Sequence, residues 1–289
     1  MDPGLLIAIP RRRAIGYLGF KNARFGKIDA HIATCAYSRE ILRKAVALAE
    51  SKGFKLVHGI VDSMWLKKPN ATGDDYMHLC EEIEKQLNLP IGFEGRYKWI
   101  IFLNSRVTPK IPVLNRYYGV FGDGKLKVRG INLRRHDTPE IVRKCQNDIL
   151  TLLSQANNSQ EFMQLIPEAL TVMRSYVFDL RAHKIPANQL LVAKRLSKKP
   201  DEYTNLLPQA IAAAHLVEEG QEIHAGQTIN YVVTNNNSRI SANRALPAEF
   251  LSECASYDSE WYVNQILSSV TDLLLPFNYD LDTMWSKVS

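Results

Sequence analysis

The chain has 289 residues, of which 46% are hydrophobic and 23% charged, with Lys+Arg exceeding Asp+Glu by 36 to 30 for a formal net charge of +6. That is enough chain for one large or two ordinary domains with real cores, in the compositional range of soluble globular proteins. The mild basic excess favours a polyanionic partner such as nucleic acid without requiring one. Cys35, Cys80, Cys145 and Cys254 are widely spaced with no CxxC pair, which argues for reduced intracellular thiols over a disulfide framework or a zinc site. No apolar run approaches the ~18–20 residues of a membrane span, and the opening "MDPGLLIAIPRRR" reverses the order of a secretory signal. The expectation is a cytosolic protein with no membrane partner.

In chain order, residues 38–52 read as a helix capped by Ser38, with Ile41, Leu42, Ala45, Val46 and Ala49 on one face and Gly53 as a stop. "FKLVHGIVDSMWLKK" at 54–68 reads as a strand–turn–strand unit with Asp62 as the only acid at its turn. "DDYMHLCEEIEKQLNLP" follows as an amphipathic helix ended by Pro90. Residues 97–103 and 117–121 have strand content, with "GDGK" a tight turn. Thr138 and Pro139 occupy N-cap and first-turn positions of a helix to about Leu153. Residues 160–182 are mostly helical, with a kink or restart at Pro167, and 208–219 form another helix. "GQTINYVVTN" is a strand and "DSEWYVNQILSSVTDLLLPF" a closing amphipathic helix. The pattern predicts an α+β chain in two parts, 1–110 mixed and 111–289 mainly helical.

Several motifs carry a resemblance. "GYLGFKNARFGKIDAHIATCAYSREIL" at 16–42 resembles the segment after the fingers helix of family B DNA polymerases, matching a Gly-Tyr-x-Gly-aromatic-x-x-Ala-Arg-aromatic run at Gly16, Tyr17, Gly19, Phe20, Ala23, Arg24 and Phe25. The 54–68 hairpin then resembles the one bearing the family's Asp-Thr-Asp-Ser/Gly motif, which here reads Ile60-Val61-Asp62-Ser63. "NRYYGVFGDGKLKVRGINLRRHDTPEIVRKCQNDIL" looks like the entry to the thumb, with Asn115-Arg116-Tyr117, Arg129-Gly130 and Arg134-Arg135-x-Asp137. "YTNLLPQAIAAAHLVEEGQEIHAGQTINYVV" is similar to the thumb's Tyr-x4-Pro helix and following strand. The likeness is collinear from about Gly16 onward. It implies a partial polymerase palm of antiparallel strands with helices, followed by a mainly helical thumb domain.

Two departures shape what the resemblance implies. Upstream of Gly16 the family shows a Lys-x-x-x-Asn-Ser-x-Tyr-Gly helix, and this chain has Ala8, Arg12 and Ile15 where its lysine, asparagine and tyrosine would fall. The first palm Asp and the exonuclease domain have no counterpart in the sequence. The chain therefore resembles the C-terminal part of a polymerase split within the fingers helix, as in archaeal split family B polymerases. The second departure is Ile60, in place of the first hairpin acid. Nucleotidyl transfer uses two Mg²⁺ about 3.5–4 Å apart, bound by oxygen ligands. By resemblance, Asp62 aligns with the hairpin acid that bridges them.

For each residue a plain reading stands beside the sharp one. Asp62 alone is a turn-capping carboxylate; within the resemblance it is a catalytic metal ligand. Glu94 is a strand-end acid or a further metal-proximal one. Asn115, Arg116 and Tyr117 are strand packing or primer–template contacts. Lys125, Lys127, Arg129, Arg134 and Arg135, then Lys194, Arg195, Lys198, Lys199 and Tyr203, are a solvated basic face or contacts to duplex phosphates, which position DNA without reading sequence. Gly16, Tyr17, Gly19 and Arg24 belong to the nucleotide- and template-side motif. Arg11, Arg12 and Arg13 face DNA, a partner's acids, or water.

The expectation is the small subunit of a split DNA-directed DNA polymerase, sharing Mg²⁺ with a larger chain that carries exonuclease, fingers and remaining palm. Acting on primer–template DNA and dNTP, it would be inactive alone. The alternative is a catalytically inactive paralogue that binds DNA or scaffolds a replisome.

Overall fold

The computed structural model describes residues 5–8, 14–60, 63–105, 108, 111–254 and 256–288. The chain divides into two compact units: Met1–Phe102, Pro112–Lys127 and Ala156–Glu161 in one, and Leu103–Ile111, Val128–Gln155 and Phe162–Ser289 in the other. Helices and antiparallel strands are both prominent, which is the α+β class the sequence predicts.

The first unit contains β1 (Leu5–Ala8), α1 (Ala14–Leu18), α2 (Ile28–Ser51), β2 (Lys55–Ile60), β3 (Ser63–Lys67), α3 (Gly73–Leu87), β4 (Gly92–Asn104), β5 (Pro112–Phe121) and the start of β6 (Leu126–Arg129). The six strands form one sheet in the order β2-β3-β1-β4-β5-β6. Alternation along β3 divides the core. Met64 and Leu66 face a cluster with Ala45 and Ala49 of α2 and with Tyr76, Leu79, Cys80 and Ile83 of α3. Trp65, pointing the other way, joins Tyr97, Tyr117 and Phe121, with Ile60, Ile100 and Phe102 packed against them. β3 is thus covered on both faces, which explains its continuous apolar run.

Local chemistry sets the boundaries. α3 begins with a capping box, in which the Thr72 hydroxyl accepts from the Asp75 N–H and the Asp75 carboxylate accepts from the Thr72 N–H. It ends at Asn88, left-handed at φ 50°, before Pro90 is reached. α2 corrects the expectation for 38–52. It starts ten residues earlier, and Ser38 lies inside it with its hydroxyl donating to the Thr34 carbonyl at 2.8 Å. Gly53, at φ 80°, stops it as expected. The "GDGK" turn is present, closed by a Phe121 N–H to Lys125 carbonyl bond of 3.0 Å with Gly124 at φ 86°.

The second unit contains α4 (Glu140–Leu153), α5 (Ser159–Arg181, from Phe162), β7 (Val192–Arg195), α6 (Pro208–Glu218), β8 (Thr228–Val233), β9 (Ala245–Pro247), α7 (Ser259–Leu274) and α8 (Leu281–Ser286). β7, β8 and β9 form a three-stranded antiparallel sheet with β8 central. Pro139 is the N-cap of α4, one position later than the Thr138 cap predicted. α5 continues through Pro167, and α7 is followed by α8 and so does not close the chain.

Two buried polar ties fix this unit. Gln146, fully buried on α4, accepts from the Leu133 N–H at 2.6 Å and donates to the Ser269 carbonyl of α7 at 3.0 Å. The Tyr262 hydroxyl donates to the Leu190 carbonyl and accepts from the Val233 N–H, both at 2.9 Å. Each satisfies backbone groups that secondary structure leaves over, as burial demands. No described helix is long and apolar enough to cross a membrane.

Candidate functional site

The β2–β3 hairpin is closed by pairing of Ile60 with Ser63. Val61 and Asp62, between those partners, lie outside the described residues, as do Arg11, Arg12 and Arg13. Ile60 is half-buried against the aromatic cluster, so the position where the resemblance calls for an acid is occupied by a packing residue. Behind it the His58 ring lies tilted against both Trp65 and Phe102, its centre 4.7 Å from each, and its Nε2–H donates to the Leu114 carbonyl at 3.0 Å. Burial holds the His58 pKa below the ordinary value, the Leu114 bond opposing it, so the ring is a neutral structural donor at neutral pH.

Glu94 lies on β4 at a bulge. Leu6 pairs with Gly95 and Ile7 with Phe93, so Glu94 is the extra residue. Its carboxylate is bound by Lys127 Nζ at 2.9 Å, with both side chains about a third exposed. Two predicted site residues therefore neutralise one another: Glu94 toward metal, Lys127 toward phosphate. On β5, Asn115 is exposed and Arg116 half-buried, while Tyr117 is buried with its ring edge-on to Trp65 at 5.5 Å. Tyr117 is a core residue. Lys125 is exposed at the β5–β6 turn.

Among the described residues there is no group of three or more His, Cys, Asp or Glu arranged to hold a metal ion. With Ile60 apolar and Glu94 tied to Lys127, the described residues by themselves do not fit a divalent cation.

The 16–37 segment has a different character. Tyr17, Phe20, Phe25, Ile28, Ile32 and Tyr37 are all large, apolar and exposed. Ile28 and Ile32 stand one turn apart on α2. The Tyr17 hydroxyl accepts from the Phe25 N–H at 3.4 Å, and the Arg24 guanidinium lies 5.4 Å from the Phe25 ring centre. A Cβ on Gly19 would come 3.0 Å from the His31 ring, which would have to give way, whereas Gly16 stands in open space.

In the second unit the predicted basic residues separate into two groups. Arg135 makes a two-point contact with Asp137 (Nε–Oδ1 2.9 Å, Nη2–Oδ2 2.7 Å), and Lys194 Nζ reaches the same carboxylate at 2.5 Å. These bonds, Arg135 first, hold the Asp137 carboxyl well below the usual carboxylate range and raise the Arg135 pKa. Arg195 turns back to donate from Nε to the Gly226 carbonyl at 2.8 Å. The Tyr203 hydroxyl receives the Ser197 N–H at 2.9 Å, anchoring the loop that carries Lys198 and Lys199. By contrast Arg129, Arg134 and Lys198 are exposed, and no ion pair engages them among the described residues. In the sequence Asp137 stands only as the acid of the Arg134-Arg135-x-Asp137 run, with no role attached. An acid two positions after an arginine was the available signal, but Lys194 lies 57 residues further along the chain.

The model of DNA polymerase family B matches residues 16–277. The DNA polymerase of Archaeoglobus fulgidus is 26% identical over 280 residues, covering 91% of this chain and 34% of that protein. The DNA polymerase of Thermococcus sp. strain 9oN-7 is 26% identical over 269 residues, covering 91% of this chain and 33% of that protein. Among solved structures, the family B DNA polymerase from the hyperthermophilic archaeon Pyrobaculum calidifontis is similar at a TM-score of 0.60 and 25% identity, over 89% of this chain and 31% of that one. The chain spans about a third of the length of these relatives. A match over nearly the whole chain, on a fold with the same mix of strands and helices, makes this chain a member of DNA polymerase family B.

Proposed function

We propose that this chain is the small, C-terminal component of a DNA-directed DNA polymerase, active only together with a larger polypeptide that supplies exonuclease, fingers and the remaining palm. The observation that carries this reading is the collinear family match from 16 to 277, which includes the hairpin closed by Ile60 and Ser63. In this reading residues 1–110 are a fingers remnant with the palm segment and residues 111–289 the thumb. Exposed Arg129, Arg134 and Lys198 pair with phosphates of the duplex product, and Lys125 and Asn115 touch the primer–template backbone. The exposed apolar side chains between Tyr17 and Tyr37 are the face that the larger polypeptide covers, since apolar groups gathered on a surface favour burial against a partner. The complex works on the nucleoid in the cytoplasm.

Mg²⁺ belongs in this reading to the pair: Asp62 would be this chain's carboxylate ligand, and the larger polypeptide would donate the rest. When bound, the ions would acidify the primer hydroxyl and neutralise charge on the departing phosphates of dNTP. The contribution of this chain is to hold the hairpin on a rigid aromatic base and to grip the duplex.

A second reading is a catalytically inactive paralogue that binds DNA or scaffolds a replisome. It is favoured by the apolar packing of Ile60 where an acid would stand. Purifying the chain from its native cell with whatever larger polypeptide accompanies it, then assaying primer extension, decides between them. Extension by the pair but not by the chain alone, lost by at least about a hundredfold in Asp62→Ala, supports the polymerase reading. Equal extension after that substitution ends it in favour of the inactive paralogue.

A further inference from the structure

α2 is 24 residues long, yet its buried residues begin only at Ala45. The half from Ile28 to Glu40 lies outside the core cluster that Ala45 and Ala49 join. A helical stretch of that length is marginal by itself, and Ile28, Ile32, Thr34 and Tyr37 are not strong helix formers, so packing has to hold it. α1 packs along it, with Gly19 beside the His31 ring. Ile28, Ile32 and Ala36 follow one another at i, i+4 and i+8, a single line on the helix surface. Ile28 is 59% exposed and Ile32 57%, and Ala33 and Ala36 are exposed with them. The segment's hydroxyls turn back on its own backbone: Thr34 donates to the Ala30 carbonyl at 2.7 Å and Ser38 to the Thr34 carbonyl at 2.8 Å.

Charge around this line is one-sided. Between Gly16 and Lys44 the sequence has six Lys or Arg and two acids. One of the acids, Glu40, is held by Arg43 at 3.0 and 3.1 Å. Lys27 and Arg39, at the two ends of the line, are exposed, and no ion pair engages them among the described residues. Lys27 is also the N-cap of α2 and makes no side-chain cap bond there. Its charge and that of Arg24 add to the positive end of the helix dipole, where a carboxylate from outside lowers the electrostatic energy.

We propose that this face seats an acidic amphipathic helix of the larger polypeptide. Its apolar stripe lies on Ile28 and Ile32, Ala33 and Ala36 let the two backbones approach, and its acids meet Lys27 at one end and Arg39 at the other. The proposal rests on the polymerase reading, from which it takes the partner, and adds the chemistry of the contact. Duplex DNA answers the cations but leaves the isoleucines in water, so the apolar line favours protein over nucleic acid.

The experiment uses the pair of full chains purified for primer extension. With a benzoylphenylalanine replacing Ile32, the photo-crosslink should map to a helical segment of the larger polypeptide that has apolar residues three and four apart and acids beside them. Ile32→Lys should weaken association of the two chains at least about tenfold, and Lys27→Glu and Arg39→Glu about tenfold each, with wild-type affinity falling as salt rises. Changing the acid nearest the crosslink to Lys should restore the affinity of whichever charge-reversed variant it faces. All three positions are exposed, and circular dichroism checks that each variant is folded. Unchanged association in Ile32→Lys, a crosslink in a segment without acids, or a charge swap that restores nothing overturns the proposal and leaves the polymerase reading standing. Loss of DNA affinity in Ile32→Lys with association intact assigns the face to nucleic acid, and a dimer of this chain dispersed by the same variant assigns it to a second copy; either overturns the proposal. A chain that purifies alone and monomeric ends the proposal and the polymerase reading together.

Discussion

Arg135 holds Asp137 at two points while Lys194, from β7, reaches the same carboxylate, so one acid joins the segment before α4 to the small sheet of the second unit. Asp137 has a depressed pKa in the folded chain. Its contribution to stability is therefore complete above the unfolded carboxylate value of about 4 and fades as pH falls through the lower folded value. Arg135 and Lys194 are both substantially exposed, which limits the contribution to about 1 kcal/mol. Asp137→Asn should cost that amount at pH 7 and leave a flatter acid limb in urea melts followed from pH 7 to pH 3. The same variant should raise affinity for duplex DNA, with a steeper salt dependence, because two cations lose their internal partner. An unchanged salt slope would mean that Arg135 and Lys194 face no phosphate.

A different pH window belongs to His58. Burial lowers its pKa, so the folded chain disfavours the imidazolium. Stability from the neutral ring is present above the unfolded value of about 6.5 and is lost as pH falls through the folded one. His58→Asn should be less stable at pH 7.5 by about 1–2 kcal/mol, through loss of the ring contacts with Trp65 and Phe102. The gap to wild type should narrow at pH 5. Thermal melts at the two pH values measure it, and a constant gap would show that His58 does not titrate on unfolding.

Gly119 tests the packing of the central strands. A Cβ there would stand 2.8 Å from the Trp99 carbonyl oxygen and 3.0 Å from Ile100 Cα, both backbone atoms of β4 that cannot swing aside. Gly119→Ala should cost about 1–3 kcal/mol, read as a lower urea midpoint with an unchanged m-value. Gly16→Ala, which meets nothing within 4 Å, should be close to neutral and is the control.

How much of this was legible beforehand follows from the range of each interaction. The β2–β3 hairpin, α3, α6 and α7 are written in period and turn chemistry, which act over a few residues, and the sequence reading places them. The start of α2 escapes because Ser38 has an N-cap's chemistry, yet an interior serine can bond back to the carbonyl four residues earlier. β1 and β9 are only four and three residues long, and strands that short are defined by partners distant in sequence. At the site, residue type was readable and engagement was not. Glu94 and Lys127, 33 residues apart, look like two independent ligands until the sheet brings them to 2.9 Å. Tyr117 looks like a DNA contact until the sheet buries the whole second half of β5, from Tyr117 to Phe121.

Ile60 offers the most direct measure of how far the hairpin has moved from the pattern it resembles. Its side chain packs on the cluster of Trp65, Tyr97, Tyr117 and Phe121, so a carboxylate there would be placed against aromatic surface and lose hydration. Burial raises a carboxyl pKa, so the penalty of Ile60→Asp should grow as pH rises above about 4, reaching about 1–3 kcal/mol at pH 7. Urea melts at pH 4.5 and pH 7.5 separate this charge cost from the lost apolar packing, which is the same at both. The acid also adds a hard oxygen ligand two positions from Asp62. If Mg²⁺ at millimolar concentration recovers part of the stability lost at pH 7.5, the hairpin tip binds the ion, since a ligand that binds only the folded state stabilises it by mass action. If Mg²⁺ recovers nothing, the apolar cluster owns position 60, and any cation must be held by Asp62 with groups from elsewhere.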